Sequence, residues 1–276
     1  MILLADSGST KTTWCLLSDD GDVKEYQSAG VNPYLHSKAY ITDVFKSVPV
    51  SDPRAIHYYG AGLGSDRNKK LLSSLIHEVF DIYPTTMADD LLAAARATCG
   101  EHEGLICILG TGSNAAYYNG NTATPLTASL GFILGDEGGG ARLGGAFVRD
   151  YIQGRMPAEL RVQVAASQAI YTDEVLKHIY QKPSPSHYLA SFARLVGQHI
   201  GHPYCQRLVR KNFERFFERM ILPHLKSGRE PIHFVGSIAF IYQDILTDVL
   251  HQYNLEVGTI IKEPMPGLTL YHQKSI

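Results

Sequence analysis

The chain lacks several features that mark common protein classes. Its four cysteines are scattered and form no C-x-x-C pair, which argues against a zinc or iron–sulfur site. The twelve histidines show no H-x-x-x-H or H-E-x-x-H pattern, so a histidine-based metal site is not expected. No apolar run approaches the roughly 20 residues of a membrane helix. The N-terminus has no basic segment followed by an apolar core, so we expect no signal peptide.

Net charge is also small. The formal charge of −2 gives no broad attraction to nucleic acid or to an anionic membrane. Reduced thiols in the cytoplasm are the default for such a cysteine pattern. With 276 residues, 45% of them hydrophobic, the chain is long enough for two packed domains. The first strand is expected at residue 2, which leaves no room before it for a DNA-binding module.

Residues 2–17 carry the most informative pattern. A short apolar run leads into small and hydroxylated residues and then into a second apolar run, which predicts a β-hairpin with backbone N–H groups facing an anion. Asp6 stands at its mouth, where a carboxylate suits Mg²⁺ that bridges to phosphate. An ordinary turn is the alternative. The candidate phosphate-binding residues are Ser7, Gly8, Ser9, Thr10 and Lys11.

Residues 105–118 repeat this plan. An apolar strand runs into Gly110, Thr111, Gly112 and Ser113, and a second strand runs out. Alone, the loop could be a tight turn. Two matching hairpins suggest a duplicated architecture, with nucleotide in a cleft between the halves and one loop from each half.

The remaining pattern alternates strands with helices and predicts an α/β sheet protein. The expected strands are 23–28, 56–59 and 232–235, and the glycine-rich loop 60–64 follows the second of them. The expected helices are 39–48, one capped by Asp66, 141–152, and a long one from Pro203 to near Gly228. The segment 182–186 is expected to be a flexible connector.

Acidic side chains mark two further candidate sites. Asp89 and Asp90 precede an alanine- and leucine-rich helix, where either could be an N-cap or the base that takes a proton from a sugar hydroxyl. Asp136 lies in the glycine-rich stretch 131–140, which favours a ligand-binding role or a mobile loop that caps a helix. Asn32 is a turn residue or an amide that binds substrate.

Taken in order, these motifs resemble the N-acetylglucosamine kinases of the BadF-type ATPase group in the actin/hexokinase/Hsp70 superfamily. The matching segments are Asp6–Thr12, Asn32-Pro33, Asp90 with its helix, Gly110–Asn114, Gly135–Gly138 and Val235–Ser237. The resemblance spans nearly the whole chain. It implies two ribonuclease-H-like (actin-like ATPase) domains with an interdomain cleft, and an ATP- and Mg²⁺-dependent kinase acting on the 6-hydroxyl of an amino sugar, with N-acetylglucosamine first.

The resemblance also implies roles for single residues. Asp6 would be the Mg²⁺-linked acid, acting through water, and Asp90 the catalytic base. Asp90 is preferred to Asp89 because the small residue Ala93 follows three positions later. The implied phosphate- and nucleotide-binding residues are Thr10, Gly110, Thr111, Gly112, Gly236 and Ser237. The implied substrate-binding residues are Asn32, Gly62, Asn114 and Asp136. The chain departs from the family at Ser7 and Ser9, which replace glycines.

Two other functions stay open at this point. A BadF-type ATPase that activates a reductase would need cysteines for an iron–sulfur cluster. A non-catalytic sugar-binding regulator would keep the fold without turnover. The domains are expected at 1–103 and 104–276, with the last helix packing back on the first. The expected partner is a small sugar, and a homodimer is left open.

Overall fold

The computed structural model describes residues 1–8, 11–225 and 230–274. Within these residues, ten strands form two five-stranded sheets, and helices accompany both, so the fold is α/β with two domains. The strands are β1 Ile2–Ser7, β2 Lys11–Leu17, β3 Val23–Ala29, β4 Ala55–Gly60, β5 Thr86–Ala88, β6 Glu103–Leu109, β7 Ser113–Asn119, β8 Ala123–Pro125, β9 Ile232–Val235 and β10 Val257–Ile261.

Helices alternate with strands from β3 to β6, and most of the helices lie in the second half of the chain. They are α1 Lys38–Lys46, α2 Asp66–Phe80, α3 Asp90–Cys99, α4 Gly131–Leu134, α5 Gly140–Ile152, α6 Ala158–Ser167, α7 Thr172–Tyr180, α8 Pro185–Ser191, α9 Ala193–Gln198, α10 Pro203–Phe216, α11 Ser237–Ile241, α12 Gln243–Gln252 and α13 Met265–Gln273. No helix within the described ranges is long and apolar enough to cross a membrane.

The first sheet has the strand order β3-β2-β1-β4-β5. Strand β1 pairs antiparallel with β2 and parallel with β4, which places it at the centre. Its side chains alternate between two apolar clusters, with Leu3 and Ala5 in one and Ile2 and Leu4 in the other. A strand covered on both faces needs a continuous apolar run, and residues 2–5 supply it.

The second sheet has the order β10-β9-β6-β7-β8. Strands β6 and β9 are parallel, with Leu105 opposite Ile232 and Ile108 opposite Val235. Strand β10 is parallel to β9 on its other side. The carboxyl ends of all three strands therefore lie at one edge, which brings the loop after β6 beside Gly236.

Two compact units make up the chain. The first contains residues 1–103, 118–123 and 263–276, and the second contains 104–117 and 124–262. Helix α13 thus belongs to the first unit, where Met265 and Leu268 join the cluster around Ile2 and Leu4. A polar contact also holds α13, because the Tyr59 hydroxyl and His272 Nε2 lie 2.8 Å apart.

Most expected elements are present, and three differ. Ser65, rather than Asp66, caps α2, because its hydroxyl accepts a hydrogen bond from the Asn68 N–H. The segment expected as a connector contains the start of α8, since Pro185 stands in the first turn, where proline loses no helical hydrogen bond. The long helix from Pro203 ends as α10 at Phe216 and continues as a π-helical segment, Phe217–Ile221; Gly228 lies outside the described residues.

Candidate functional site

In the first unit, one edge of the sheet collects the residues that the sequence marked. Strands β1, β4 and β5 are parallel, with Ser7 opposite Gly60 and Tyr59 opposite Ala88, so their carboxyl ends coincide. Strand β3 ends at the same edge, because it is antiparallel to β2. Ligands of α/β sheets bind at this edge. The marked residues that lie there are Asp6, Gly8, Lys11, Asn32, Gly62, Asp89 and Asp90.

Asp6 is a partly buried acid surrounded mainly by negative charge. Burial, and then the nearby carboxylates of Asp90 and Glu263, raise its pKa to about 7, while Lys11 acts in the opposite direction. Lys11 Nζ lies 3.0 Å from Glu263 Oε1, so part of its charge is already compensated. A carboxylate in such a field gains from a nearby cation.

Asp89 and Asp90 have different roles at the start of α3. The Asp89 carboxylate is the N-cap, since its Oδ1 accepts a 3.0 Å hydrogen bond from the Leu92 N–H. Asp90 is the first helical residue, and burial, followed by the charge of Asp89, raises its pKa to about 6. The backbone N–H groups of Asp90 and Leu91 oppose that shift. The cap is satisfied by one acid, so the other is available for chemistry.

The first phosphate-loop candidate is partly described. Ser7 is only 2% exposed, and its hydroxyl lies 2.7 Å from the Thr12 hydroxyl and accepts a hydrogen bond from the Val31 N–H. It therefore ties β1 to the chain just before Asn32. The Gly8 N–H donates to the Lys11 carbonyl over 2.9 Å. Ser9 and Thr10 lie outside the described residues.

Asn32 and Gly62 lie side by side. Gly62 has φ +82°, and a Cβ there would lie 2.8 Å from Asn32 Oδ1. The same Oδ1 accepts a hydrogen bond from the Tyr34 N–H, and Asn68 Nδ2 donates to the Gly62 carbonyl. The two predicted substrate residues are thus brought together by the turns that follow β3 and β4.

In the second unit, the loop Gly110–Gly112 is packed backbone against backbone. The first two N–H groups of α5, from Gly140 and Ala141, donate to the carbonyls of Gly110 and Thr111 over 2.8 and 2.9 Å. Gly236 has φ +128°, and a Cβ there would overlap the carbonyl oxygen of Leu109. Only glycine fits this position, which explains why the glycine of the Gly236-Ser237 pair directly follows β9.

Asp136 faces the same loop. A Cβ on Gly112 would lie 2.7 Å from Asp136 Oδ2, and the Ser113 N–H donates to Oδ1 over 3.3 Å. Burial raises the pKa of Asp136, while the Ser113 N–H and Arg142 lower it. Asn114, the next residue of β7, uses its Oδ1 to accept from the Ala115 N–H. Asp136 and the Gly110–Gly112 loop therefore form one structural group.

Sequence reasoning gave no role to two acids. Glu263 contacts Lys11 and raises the pKa of Asp6, yet it lies 252 positions from Lys11 along the chain. Glu137, buried to 9% exposure, has its Oε1 3.6 Å from both Arg142 Nη2 and Arg219 Nη1. No local sequence pattern could have indicated the contact between Glu263 and Lys11. Glu137, in contrast, directly follows Asp136 in the sequence.

The described residues contain no preformed metal cage. Across the described ranges, no three His, Cys, Asp or Glu side chains group closely enough to hold a metal ion. Asp6 with its excess negative surroundings still fits Mg²⁺, which keeps several waters and uses one or two carboxylates together with substrate phosphates.

Comparison with known proteins identifies the family. No protein-family profile and no curated protein matches the chain. A solved protein of Porphyromonas gingivalis, described as "Putative N-acetylglucosamine Kinase", is 35% identical over 99% of both chains, with a TM-score of 0.91. A Chromobacterium violaceum protein with the same description is 17% identical over 98% of both chains, with a TM-score of 0.70.

A ROK family glucokinase of Streptomyces griseus, solved with glucose and AMPPNP, is 15% identical over 99% of this chain and 98% of its own, with a TM-score of 0.60. At such identities the last two likenesses show the fold. The 35% identity to the Porphyromonas gingivalis protein, over 99% of both chains, also shows the family. The chain belongs to the N-acetylglucosamine kinase family of the actin-like ATPase superfamily.

Proposed function

We propose that this protein is an ATP-dependent sugar kinase that phosphorylates the 6-hydroxyl of an amino sugar, with N-acetylglucosamine as the first substrate to test. The observation that carries the proposal is the pair of acids at the carboxyl edge of the first sheet. One of them, Asp90, is partly buried with a raised pKa at a helix start, and the other, Asp6, lies near Lys11 and Glu263. The named neighbours support the sugar kinase class.

Asp90 is the proposed catalytic base. A sugar hydroxyl is a weak nucleophile until its proton is removed, and a carboxylate with a pKa of about 6 accepts that proton at neutral pH. The hydroxyl oxygen then forms the new bond to the γ-phosphorus of ATP while the bond to the β-phosphate oxygen breaks, and ADP leaves. Asp89 serves by capping the helix that positions Asp90.

The remaining marked residues are proposed to bind and orient. Asp6 would hold Mg²⁺ through water, and the ion would neutralise phosphate charge. Phosphate contacts are proposed for the loops at Gly8–Lys11 and Gly110–Gly112, and a nucleoside contact for Gly236-Ser237. Asn32, Gly62, Asn114 and Asp136 are the proposed sugar contacts, which fits the adjacency of Asn32 to Gly62.

The reductase-activator alternative finds little support. All four cysteines, Cys15, Cys99, Cys107 and Cys205, are buried. Burial also raises the pKa of each thiol, which disfavours the thiolate form that binds an iron–sulfur cluster. The regulator alternative remains distinguishable by experiment alone.

The deciding measurement is a coupled ADP-release assay over a panel of hexoses and N-acetylhexosamines. We expect release with an N-acetylhexosamine and a loss of about 1,000-fold in kcat for Asp90→Asn, with nucleotide affinity retained. Asp89→Asn is the matched control, because asparagine caps helices as well as aspartate. Tight sugar binding by calorimetry without ADP release would instead indicate a regulator, and near-normal kcat in Asp90→Asn would remove the assigned base.

A further inference from the structure

A basic cavity in the second unit is lined by none of the residues to which the proposed reaction assigns a role. It has a volume of about 780 Å³, within the range of small-molecule sites. Six basic side chains line it and only two acidic ones, although acids outnumber bases in the whole chain. The basic residues are Arg142, Arg149, Arg207, Lys211, Arg215 and Arg219.

These charges are arranged on two helices that face one cavity. Arg207, Lys211, Arg215 and Arg219 follow each other at four-residue intervals, which places them on one face of α10 and the π-helical segment after it. Like charges at this spacing repel and destabilise a helix. A solvated basic face would also show such spacing, but here α5 adds Arg142 and Arg149 to the same concave wall.

The two acids neutralise only part of this charge. Glu137 lies 3.6 Å from both Arg142 and Arg219, and Asp150 Oδ1 lies 3.3 Å from Arg149 Nε. Among the described residues, Arg207, Lys211 and Arg215 have no acidic partner within ion-pair distance. Three of the six cations that line the cavity are therefore not compensated by a carboxylate, whereas the other three lie beside Glu137 or Asp150.

The spacing and the lining define the ligand class. From Arg207 to Arg219 the basic face extends about 18 Å, at about 1.5 Å per residue, which is longer than one phosphate can span. Phe132, Leu134 and Leu208 add apolar surface beside the charges. We propose that this cavity binds a small, elongated molecule with several phosphate groups, held chiefly by Arg207, Lys211 and Arg215. This inference does not depend on the kinase activity.

Tripolyphosphate, free of magnesium, is the probe for this site. Calorimetry at 50 mM and 300 mM salt should show binding to the wild-type protein that weakens with salt, because charge neutralisation drives it. The variant Lys211→Gln/Arg215→Gln should bind at least tenfold more weakly. Both side chains are exposed, so the fold should be retained, which circular dichroism can verify.

Two controls make the result specific. Lys177→Gln/Arg194→Gln removes the same two charges from exposed positions of the second unit outside the cavity and should bind like wild type. Lys11→Gln alters the proposed phosphate loop of the first unit and should keep the binding that the cavity variant loses. Unchanged binding in the cavity variant, equal loss in either control, or no wild-type binding would overturn the proposal. So would tighter binding of a single-stranded oligonucleotide, which would indicate a nucleic-acid surface.

Discussion

At the scale of single residues, Asp6 is the clearest case of a side chain held in an unfavourable state. Its pKa of about 7 lies above the usual 3.8, so the folded protein holds this proton more tightly than the unfolded chain does. The resulting stability is present at low pH and is lost as pH rises from about 4 to about 7.

Asp6→Asn should therefore become more stable than wild type as pH rises. We expect a difference near zero at pH 4 that grows to roughly 2–4 kcal/mol at pH 8, because the amide has no proton to release. Urea unfolding in EDTA at several pH values measures it. If the free energy of unfolding depends on pH in the same way for both proteins, the raised pKa of Asp6 is contradicted.

Asp90 gives a prediction for activity rather than stability. Since the base must be ionised, kcat/KM should fall below a pH of about 6. Asp89 raises the pKa of Asp90, so Asp89→Asn should move this acidic limb to lower pH while leaving the neutral-pH rate close to wild type. A pH–rate profile of both proteins tests it. If Asp89→Asn is inactive, the two acids have exchanged roles.

At the scale of elements, the second unit depends on close backbone contact. The loop after β6, the N-terminus of α5 and the residue after β9 meet without side chains between them. Gly236→Ala should cost about 3 kcal/mol or more, because the residue combines φ +128° with overlap against Leu109.

Gly201→Ala is the control for that substitution. A Cβ at position 201 meets no atom within 4 Å, so we expect a change within about 0.5 kcal/mol. Denaturant unfolding of both variants gives the comparison. Equal effects would mean that the contact at Gly236 relaxes easily.

The elements also show what the sequence can and cannot reveal. Apolar runs and glycine-rich loops predicted both hairpins, because these signals are local. The sequence pattern could not show that the Ser7 hydroxyl forms hydrogen bonds with Val31 and Thr12. Those bonds depend on how β1 packs against the chain that follows β3. The role of Glu263 could not be predicted for the same reason, since its contact with Lys11 depends on the fold. The four-residue spacing of basic residues on α10 can be read from the sequence, but the cavity that they line cannot.

At the scale of the whole molecule, α13 completes the first unit from the far end of the described chain. Leu268 is fully buried in the cluster with Ile2 and Leu4, whereas Leu270, on the same helix, is 65% exposed. Leu268→Ala should destabilise the protein by about 2–5 kcal/mol, and Leu270→Ala by less than about 0.5 kcal/mol. Calorimetric unfolding compares them, and similar effects would place α13 outside the core.

The packing of α13 against the first unit has a consequence during synthesis. A ribosome delivers residues in order, so the stretch 104–117 with 124–262 emerges entirely before α13 does. The unit encoded later can then fold first, while the face of the first sheet around Ile2 and Leu4 has only part of its cover, from α3 residues such as Ala93. Until α13 arrives, the apolar surface that Met265 and Leu268 cover stays open to chaperones and to aggregation.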